Sequence, residues 1–245
     1  MANSGGARLL SAAGSCAEFR AAAGVSLDEK VRKSNVGSLL EAAESLAGER
    51  VTVVAVDMPM ARSLIVARRV ADNRISMAFG GKGCSTHSPT AIRPGDVGRD
   101  LHRGFQEHGY NLITDLPFES RPSLIEVFPH VALLRLLGAE YRIPYKVGKT
   151  TSYWPGTSRL CRVERLIEQW LRIVDALGRE ITGVRTVLSI PPISAKTSLA
   201  SLKSFEDSLD AAICAWVGLR FMRGLAEPYG NEDAAIWAPT SMERV

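Results

Sequence analysis

Cysteines and long apolar runs are scarce in this sequence. Its 245 residues include only four cysteines, scattered without a Cys-x-x-Cys pair. A chain of this length folds without disulfide bonds, and the spacing fits neither a zinc site nor a redox motif. We therefore interpret the cysteines as reduced thiols and expect a cytoplasmic protein. No run reaches the roughly 18 apolar residues of a membrane-spanning helix, so we expect no membrane partner.

Net charge is also small, although its distribution is uneven. The chain has 30 basic and 26 acidic residues, a formal charge of +4, which alone does not indicate a nucleic-acid partner. Residues 61–103 and 135–172 each hold eight basic and three acidic side chains, whereas residues 200–245 hold four basic and seven acidic ones. Such basic bands suit a protein that handles a phosphorylated substrate, but solvated helix faces give the same pattern.

An alternation of strands and helices is what the sequence does contain. Strands are predicted at Val51–Val56, Leu124–Phe128, Val184–Ile190 and, as an edge strand, Ala235–Ala238. Helices are predicted from a capping box at Ser26 and Glu29 to near Gly48, over 62–72, from Pro94 to Gly109, from Pro129 to about Leu137, over 157–177 and over 202–223. The first two strands are apolar without polar alternation, which is typical of a sheet covered by helices on both faces. We predict a single α/β domain over residues 1–245, with a long loop over 75–95.

Acidic side chains stand out where these predicted elements end. Asp57 directly follows the first strand, Glu126 lies inside the second, and Asp207 and Asp210 share one face of the last helix. Ligands collect at the carboxyl ends of strands in open α/β sheets. Converging carboxylates repel one another unless a cation binds them, and Mg²⁺ or Mn²⁺ prefers such oxygen ligands. We therefore expect Asp57, Glu126 and Asp210 to bind metal, with Asp207 as an outer ligand.

Each of these acids also has an ordinary structural explanation. Asp57 could cap a helix, Glu126 could pair with an arginine, and Asp207 could be solvated. The metal interpretation depends on the four acids occurring together at strand ends and on one helix face.

Basic side chains offer candidate substrate contacts. Arg62, Arg68 and Arg69 follow the Asp57 strand, and Lys146 and Lys149 are interleaved with Tyr145, Tyr153 and Trp154. Such a mixture suits phosphate contacts and base stacking on a single strand, although packed aromatics and solvated lysines would give the same pattern. His130 is a candidate general base or a structural histidine. The string Gly80-Gly81-Lys82-Gly83 lacks the spacing of a phosphate loop, but its backbone amides could contact phosphate.

Several strings resemble, in order, a family known as the bacterial domain-of-unknown-function family 429. They are VVAVDMPMAR, LIEVFPHVALLRL, YRIPYKVGKT, YWPG, SFEDSLDAAICAW and AAIWAP, and they extend from about Val51 to Pro239. The family is classed as predicted nucleases with a ribonuclease-H-like fold. The resemblance implies a mixed sheet flanked by helices, with an insertion around 75–120. It also implies metal-dependent phosphodiester cleavage by acids at the ends of the strands.

The sequence departs from this family pattern at its beginning. The family opens with a strand that carries an Asp beside glycines, whereas the only Asp before Asp57 is Asp28, inside an apparent helix. We therefore expect a first strand that is missing or atypical, either because the N-terminus is incomplete or because the site has been lost.

Two functions remain open from the sequence. The preferred one is a Mg²⁺- or Mn²⁺-dependent nuclease that hydrolyses phosphodiesters with metal-activated water. The alternative is a catalytically inactive protein of the same fold that binds nucleic acid or another partner. An actin-like phosphotransferase is disfavoured, because no Gly-rich loop follows a first strand.

Overall fold

A computed structural model describes residues 11–12, 36–93, 96–115, 122–190 and 199–241. The strands are β1 (Ser11–Ala12), β2 (Val53–Val56), β3 (Asn111–Leu112), β4 (Ser123–Val127), β5 (Ala226–Gly230) and β6 (Ala235–Pro239). The helices are α1 (Val36–Ala47), α2 (Val70–Phe79), α3 (Asp96–Glu107), α4 (Pro129–Leu137), α5 (Thr150–Tyr153), α6 (Arg159–Glu180), α7 (Val184–Val187) and α8 (Leu199–Met222). In this part of the chain, no helix is long and apolar enough to span a bilayer.

The strands form one mixed sheet in the order β1-β2-β4-β6-β5. Strand β2 runs parallel to β4, with Val56 opposite Glu126. Strand β3 pairs with the beginning of β4, and β6 pairs with its end, both in parallel. Strands β1 and β5 run antiparallel to β2 and β6. The predicted class, an α/β fold with a mixed sheet flanked by helices, is confirmed.

Both faces of this sheet are covered, which explains the unbroken apolar runs. Val53 and Ala55 of β2 face a core formed with α4, α6 and α8. Val54 and Val56 face a second core formed with α1 and α3. A third cluster joins α2 to α4 and β6. Alternate side chains of β2 are therefore buried on opposite sides, as the strand period of two requires.

The first strand is atypical rather than missing. Ser11 and Ala12 pair with Val54 and Val53, so β2 has a neighbour on each side. The strand carries no acidic residue, and it does not supply the Asp of the family pattern.

Two predicted elements are wrong. Residues 62–69 are not helical. Helix α2 begins only at Val70, because the Asp72 side chain accepts a hydrogen bond from the Arg69 backbone N–H and so caps the helix there. The helix continues to Phe79 and so occupies the start of the predicted loop at 75–95. Residues 184–190 hold the short helix α7 instead of a strand, because only Val184 and Leu188 of that run are buried, four residues apart.

The predicted edge strand at 235–238 is instead an inner strand. Strand β6 lies between β4 and β5, and the edge is β5, which the sequence did not reveal. The remaining predicted helices are observed, with ends close to those expected at Gly48, Gly109 and Gly224, each at positive φ. The capping box at 26–29, Pro94 and the residues after Ile190 that would end the third strand lie outside the described residues.

Candidate metal centre

Helix α8 brings its acidic face to the carboxyl end of β2. At Gly218 the helix passes so close to β2 that an added methyl group would contact Ala55 and Val53 at 3.7 Å. Eight residues earlier on the same helix, Asp210 lies near Asp57, the residue that directly follows β2. The strand end and the helix face therefore approach each other at Asp57 and Asp210.

Asp57 forms the first part of the site. Its side chain reaches solvent, although protein surrounds it on most sides. No described residue donates a hydrogen bond to it. Burial, together with repulsion from Asp210 and Glu126, raises the pKa of Asp57 from 3.8 to about 7, against the opposing effects of Lys146 and Lys203. An acid in this state gains from a nearby cation.

Three carboxylates of α8 form the second part of the site. Glu206, Asp207 and Asp210 each offer an oxygen within 4.8 Å of the others, a spacing that a metal ion can bridge. Glu206 is buried and accepts a hydrogen bond from the Val147 backbone N–H at 2.6 Å. Sequence reasoning missed Glu206, although its spacing of four residues from Asp210 places both on the same helix face.

Two lysines and a tyrosine compensate these helix acids. The Tyr145 hydroxyl donates to Asp210 Oδ1 at 2.7 Å, and Lys146 pairs with Asp210 Oδ2. Lys203 Nζ donates to Glu206 and Asp207, at 2.7 Å each. Burial lowers the pKa of Lys146, but the surrounding acids, chiefly Asp210, raise it by a larger amount. The pKa of Lys146 therefore lies above its ordinary value. Burial also lowers the pKa of Lys203, but hydrogen bonds to Asp207 and Glu206 raise it by more, so both ammonium groups stay charged at neutral pH.

Glu126 does not join this group. It is 4% exposed, and both of its oxygens accept hydrogen bonds from the Arg69 guanidinium, at 2.6 and 2.8 Å. The Met60 backbone N–H donates to the same carboxylate at 2.7 Å. Burial raises the pKa of Glu126, while the Arg69 hydrogen bonds oppose that shift. Asp72 binds the other edge of Arg69, so three charged side chains form a closed buried network.

The register between β2 and β4 explains why the side chains of Glu126 and Asp57 lie on opposite faces of the sheet. Glu126 lies opposite Val56, whose side chain packs on the side of α1 and α3. Asp57 follows by one residue, and successive strand residues point to opposite faces. Asp57 therefore meets α8, whereas Glu126 meets Arg69 on the other side of the sheet.

The predicted substrate contacts divide among different environments. Arg62 is exposed, and its guanidinium donates to the Leu112 carbonyl at 3.3 Å. Lys149 is exposed at the end of a 3₁₀ turn. Lys146 belongs to the acidic cluster, and Arg69 is buried against Glu126 and so faces no substrate. Of the interleaved aromatics, Tyr145 is fully buried, which favours packing over base stacking there.

His130 lies at the start of α4, 6% exposed, beside this cluster. Its ring packs against the Tyr145 ring with centroids 5.1 Å apart. Burial, with Arg142 and Lys146 nearby, holds the pKa of His130 well below its ordinary value. It is therefore neutral at physiological pH, as a histidine base must be.

Comparison with known proteins identifies one family. The family described as "Protein of unknown function (DUF429)" matches residues 11–235, a range that includes strands β1 to β5, α8 and the acids of the candidate site. No curated protein and no solved structure matches the chain. The chain belongs to the DUF429 family.

Proposed function

We propose that this protein is a Mg²⁺- or Mn²⁺-dependent hydrolase that cleaves phosphodiester bonds of nucleic acid. The observation that carries the proposal is that Asp57, which has a raised pKa and no hydrogen-bond donor among the described residues, lies near Asp210, one of three clustered carboxylates on α8. Unrelieved acids of this kind occur most often at functional sites. The ribonuclease-H-like kinship implied by the sequence strings supports the same chemistry.

The donor set fits a hard divalent cation. Asp57, Asp207 and Asp210 offer carboxylate oxygens, the ligands that Mg²⁺ and Mn²⁺ take. Lys203 is half-exposed, so its ammonium group can turn into solvent when a cation replaces it. Glu126 is not included, because it is buried with Arg69 and Asp72 on the other side of the sheet from α8.

A metal ion at this site would supply an activated water and neutralise charge on the phosphate. The protein's own residues have separate tasks. Asp57 and Asp210 would hold the ion, and Tyr145 orients the Asp210 carboxylate through its hydroxyl. The Val147 N–H fixes Glu206 at the edge of the cluster. The exposed side chain of Lys149 is available to the substrate backbone.

A cleavage assay tests this proposal. Wild type should nick or degrade at least one of four substrates (single-stranded, duplex or branched DNA, or an RNA–DNA hybrid) with Mg²⁺ or Mn²⁺, and should stop when a chelator is added. Asp57→Asn and Asp210→Asn should each lower the rate by about a hundredfold or more, because each removes a ligand. Asp96→Asn, on the exposed face of α3, is the matched control and should keep full activity. Cleavage that survives in both site variants would overturn the assignment.

A second function is favoured by the lysines. Among the described acids of the cluster, Glu206, Asp207 and Asp210 already contact Lys146 or Lys203. Such a site also suits a catalytically inactive protein that binds nucleic acid or another partner, acting in the cytoplasm. Calorimetric titration with Mn²⁺ separates the two, because only the hydrolase requires the cation to bind at Asp57 and Asp210.

A further inference from the structure

Lys146 lies between the strand-end acid and the helix acids of the candidate metal centre. Its ammonium group pairs with Asp210, and Nζ lies 3.6 Å from Glu206 Oε1. Asp57 belongs to the same surroundings, because it raises the pKa of Lys146, and Lys146 opposes the raised pKa of Asp57. Only 19% of the Lys146 side chain is exposed. The ammonium group therefore occupies a place among the carboxylates where a cation is favoured.

The residues on either side of Lys146 bind the same helix. The Tyr145 hydroxyl donates to Asp210 Oδ1 at 2.7 Å, and the Val147 backbone N–H donates to Glu206 Oε2 at 2.6 Å. The Lys146 ammonium group also lies 4.7 Å from the centroid of the Tyr145 ring, a favourable cation–π contact. Three consecutive residues therefore contact the acids of α8, and together they hold Lys146 in place.

Lys203 contacts the helix acids in a different way. It lies on α8 itself, three and four residues before Glu206 and Asp207, and 48% of its side chain is exposed. Rotation about its own side-chain bonds moves the ammonium group into solvent, whereas Lys146 would lose the contacts of a mostly buried side chain. A cation that enters the centre therefore displaces Lys203 more easily than Lys146.

The charges of these residues leave room for one divalent cation. Asp57 and the three helix acids carry four negative charges when they are ionised, and Lys146 and Lys203 carry two positive ones. One divalent cation neutralises the difference. A second one would leave the centre with a net positive charge even with Lys203 turned into solvent. Like charges repel strongly where water is largely excluded, as it is around Lys146.

We propose that the Lys146 ammonium group takes the place of one cation, so that the centre holds a single divalent ion and not a pair. In two-metal sites the ions lie about 3.5–4 Å apart and clamp both reacting oxygens. Lys146 is a positioning residue here, because it compensates the helix acids and leaves Asp57, to which no described residue donates a hydrogen bond, open to the ion. This inference rests on the proposed function, since it counts the cations of the same centre.

Counting the bound ions tests this inference without any cleavage. Calorimetric titration of the metal-free protein with Mn²⁺ gives the number of ions per chain, and electron paramagnetic resonance distinguishes an isolated ion from a coupled pair. Wild type should bind one isolated ion. Lys146→Ala should bind two, with the spectrum of a coupled pair, because a cation position is freed. Lys203→Ala is the matched control, since it removes the same charge from the same helix acids, and it should still bind one ion.

Two further variants keep the test decisive. Lys146→Arg preserves the charge and should bind one ion, and Lys146→Gln, which keeps most of the stem without the charge, should bind two. Melting temperatures in EDTA show which variants fold. Two ions in wild type or Lys203→Ala, or one ion in folded Lys146→Ala and Lys146→Gln, would overturn the inference and leave the hydrolase proposal standing. A change from one ion to two, without cleavage of any substrate by wild type, would uphold it while the hydrolase proposal fails. No binding of Mn²⁺ by wild type would overturn both.

Discussion

Two groups of acids lie close to the same strand ends, and they differ in how their charge is compensated. Around Glu126, Arg69 satisfies both carboxylate oxygens and also binds Asp72, so the charges are buried and paired. Around Asp57, the helix acids pair with Lys146 and Lys203, but no described residue donates a hydrogen bond to Asp57, whose pKa is raised to about 7. The first group is closed to a ligand, and the second is open to a cation.

The difference teaches that the position of an acid on a strand end does not alone identify a ligand. Glu126 lies deeper in the sheet than Asp57, yet an arginine 57 residues earlier in the chain neutralises it. Its carboxylate also receives the Met60 N–H, and Arg69 donates to the Met60 carbonyl. The buried pair therefore holds the segment that follows Asp57. Glu126 therefore stabilises the segment next to the site and is not one of the clustered acids.

Breaking the closed group should have the largest effect on stability. Arg69→Met leaves Glu126 and Asp72 buried without a counter-charge, and we expect a loss of about 3–5 kcal/mol in the free energy of unfolding. Urea denaturation measures it. Arg99→Met, which breaks the exposed pair with Asp96, is the control and should cost about 0–1 kcal/mol. Equal small losses in both variants would show that the buried network contributes little.

Filling the open group should give the next largest effect. If Mn²⁺ binds only the folded state, a hundredfold excess over Kd stabilises wild type by about 2.7 kcal/mol. Asp210→Asn should lose most of this gain, whereas Asp96→Asn should keep it. Thermal melts with and without Mn²⁺ measure the gain. The same gain in all three proteins would place the cation elsewhere.

Removing the unpaired charge should have a smaller effect of opposite sign. Without metal, Asp57→Asn should stabilise the protein by about 1 kcal/mol, a value reduced for solvent screening because Asp57 is exposed. The amide has the same shape but removes the repulsion from Asp210. Urea denaturation in EDTA measures the change. A destabilisation of similar size would contradict the account, because it would reveal a structural partner of Asp57.

Removing one competing lysine should have the smallest effect. Lys203→Gln should change stability by at most about 0.5 kcal/mol, since Lys203 is half-exposed. It should tighten Mn²⁺ binding about twofold to threefold, because the cation no longer displaces an ammonium group. Calorimetric titration measures the affinity, with Lys149→Gln as a control outside the acid contacts. Weaker binding in Lys203→Gln would mean that Lys203 supports the site.

The sequence predicted the parts of the fold that local pattern determines. The apolar runs of β2 and β4 needed no alternation, because both faces of the sheet are covered. Helix α8 was predicted over residues 202–223, with Gly224 after its end. Strand β5 was missed because Pro228 and Gly230 are poor strand formers, tolerated there at the sheet edge.

The candidate site was predicted only in part, because some of its contacts join residues that are distant in sequence. The meeting of Asp57 with Asp210 follows from strand ends and helix spacing, which a sequence displays. The pairing of Glu126 with Arg69 depends on the register between β2 and β4 and on a contact distant in sequence. Neither spacing nor composition encodes that register, so the sequence left the arginine alternative open.

A crystal soaked with Mn²⁺ tests the central claim most directly, through the anomalous scattering of the ion. The account predicts a peak between the carboxylates of Asp57 and Asp210, with Lys203 turned away and Arg69 still paired with Glu126. A peak on Glu126 with Arg69 displaced, or no peak near Asp57 at saturating Mn²⁺, would contradict it.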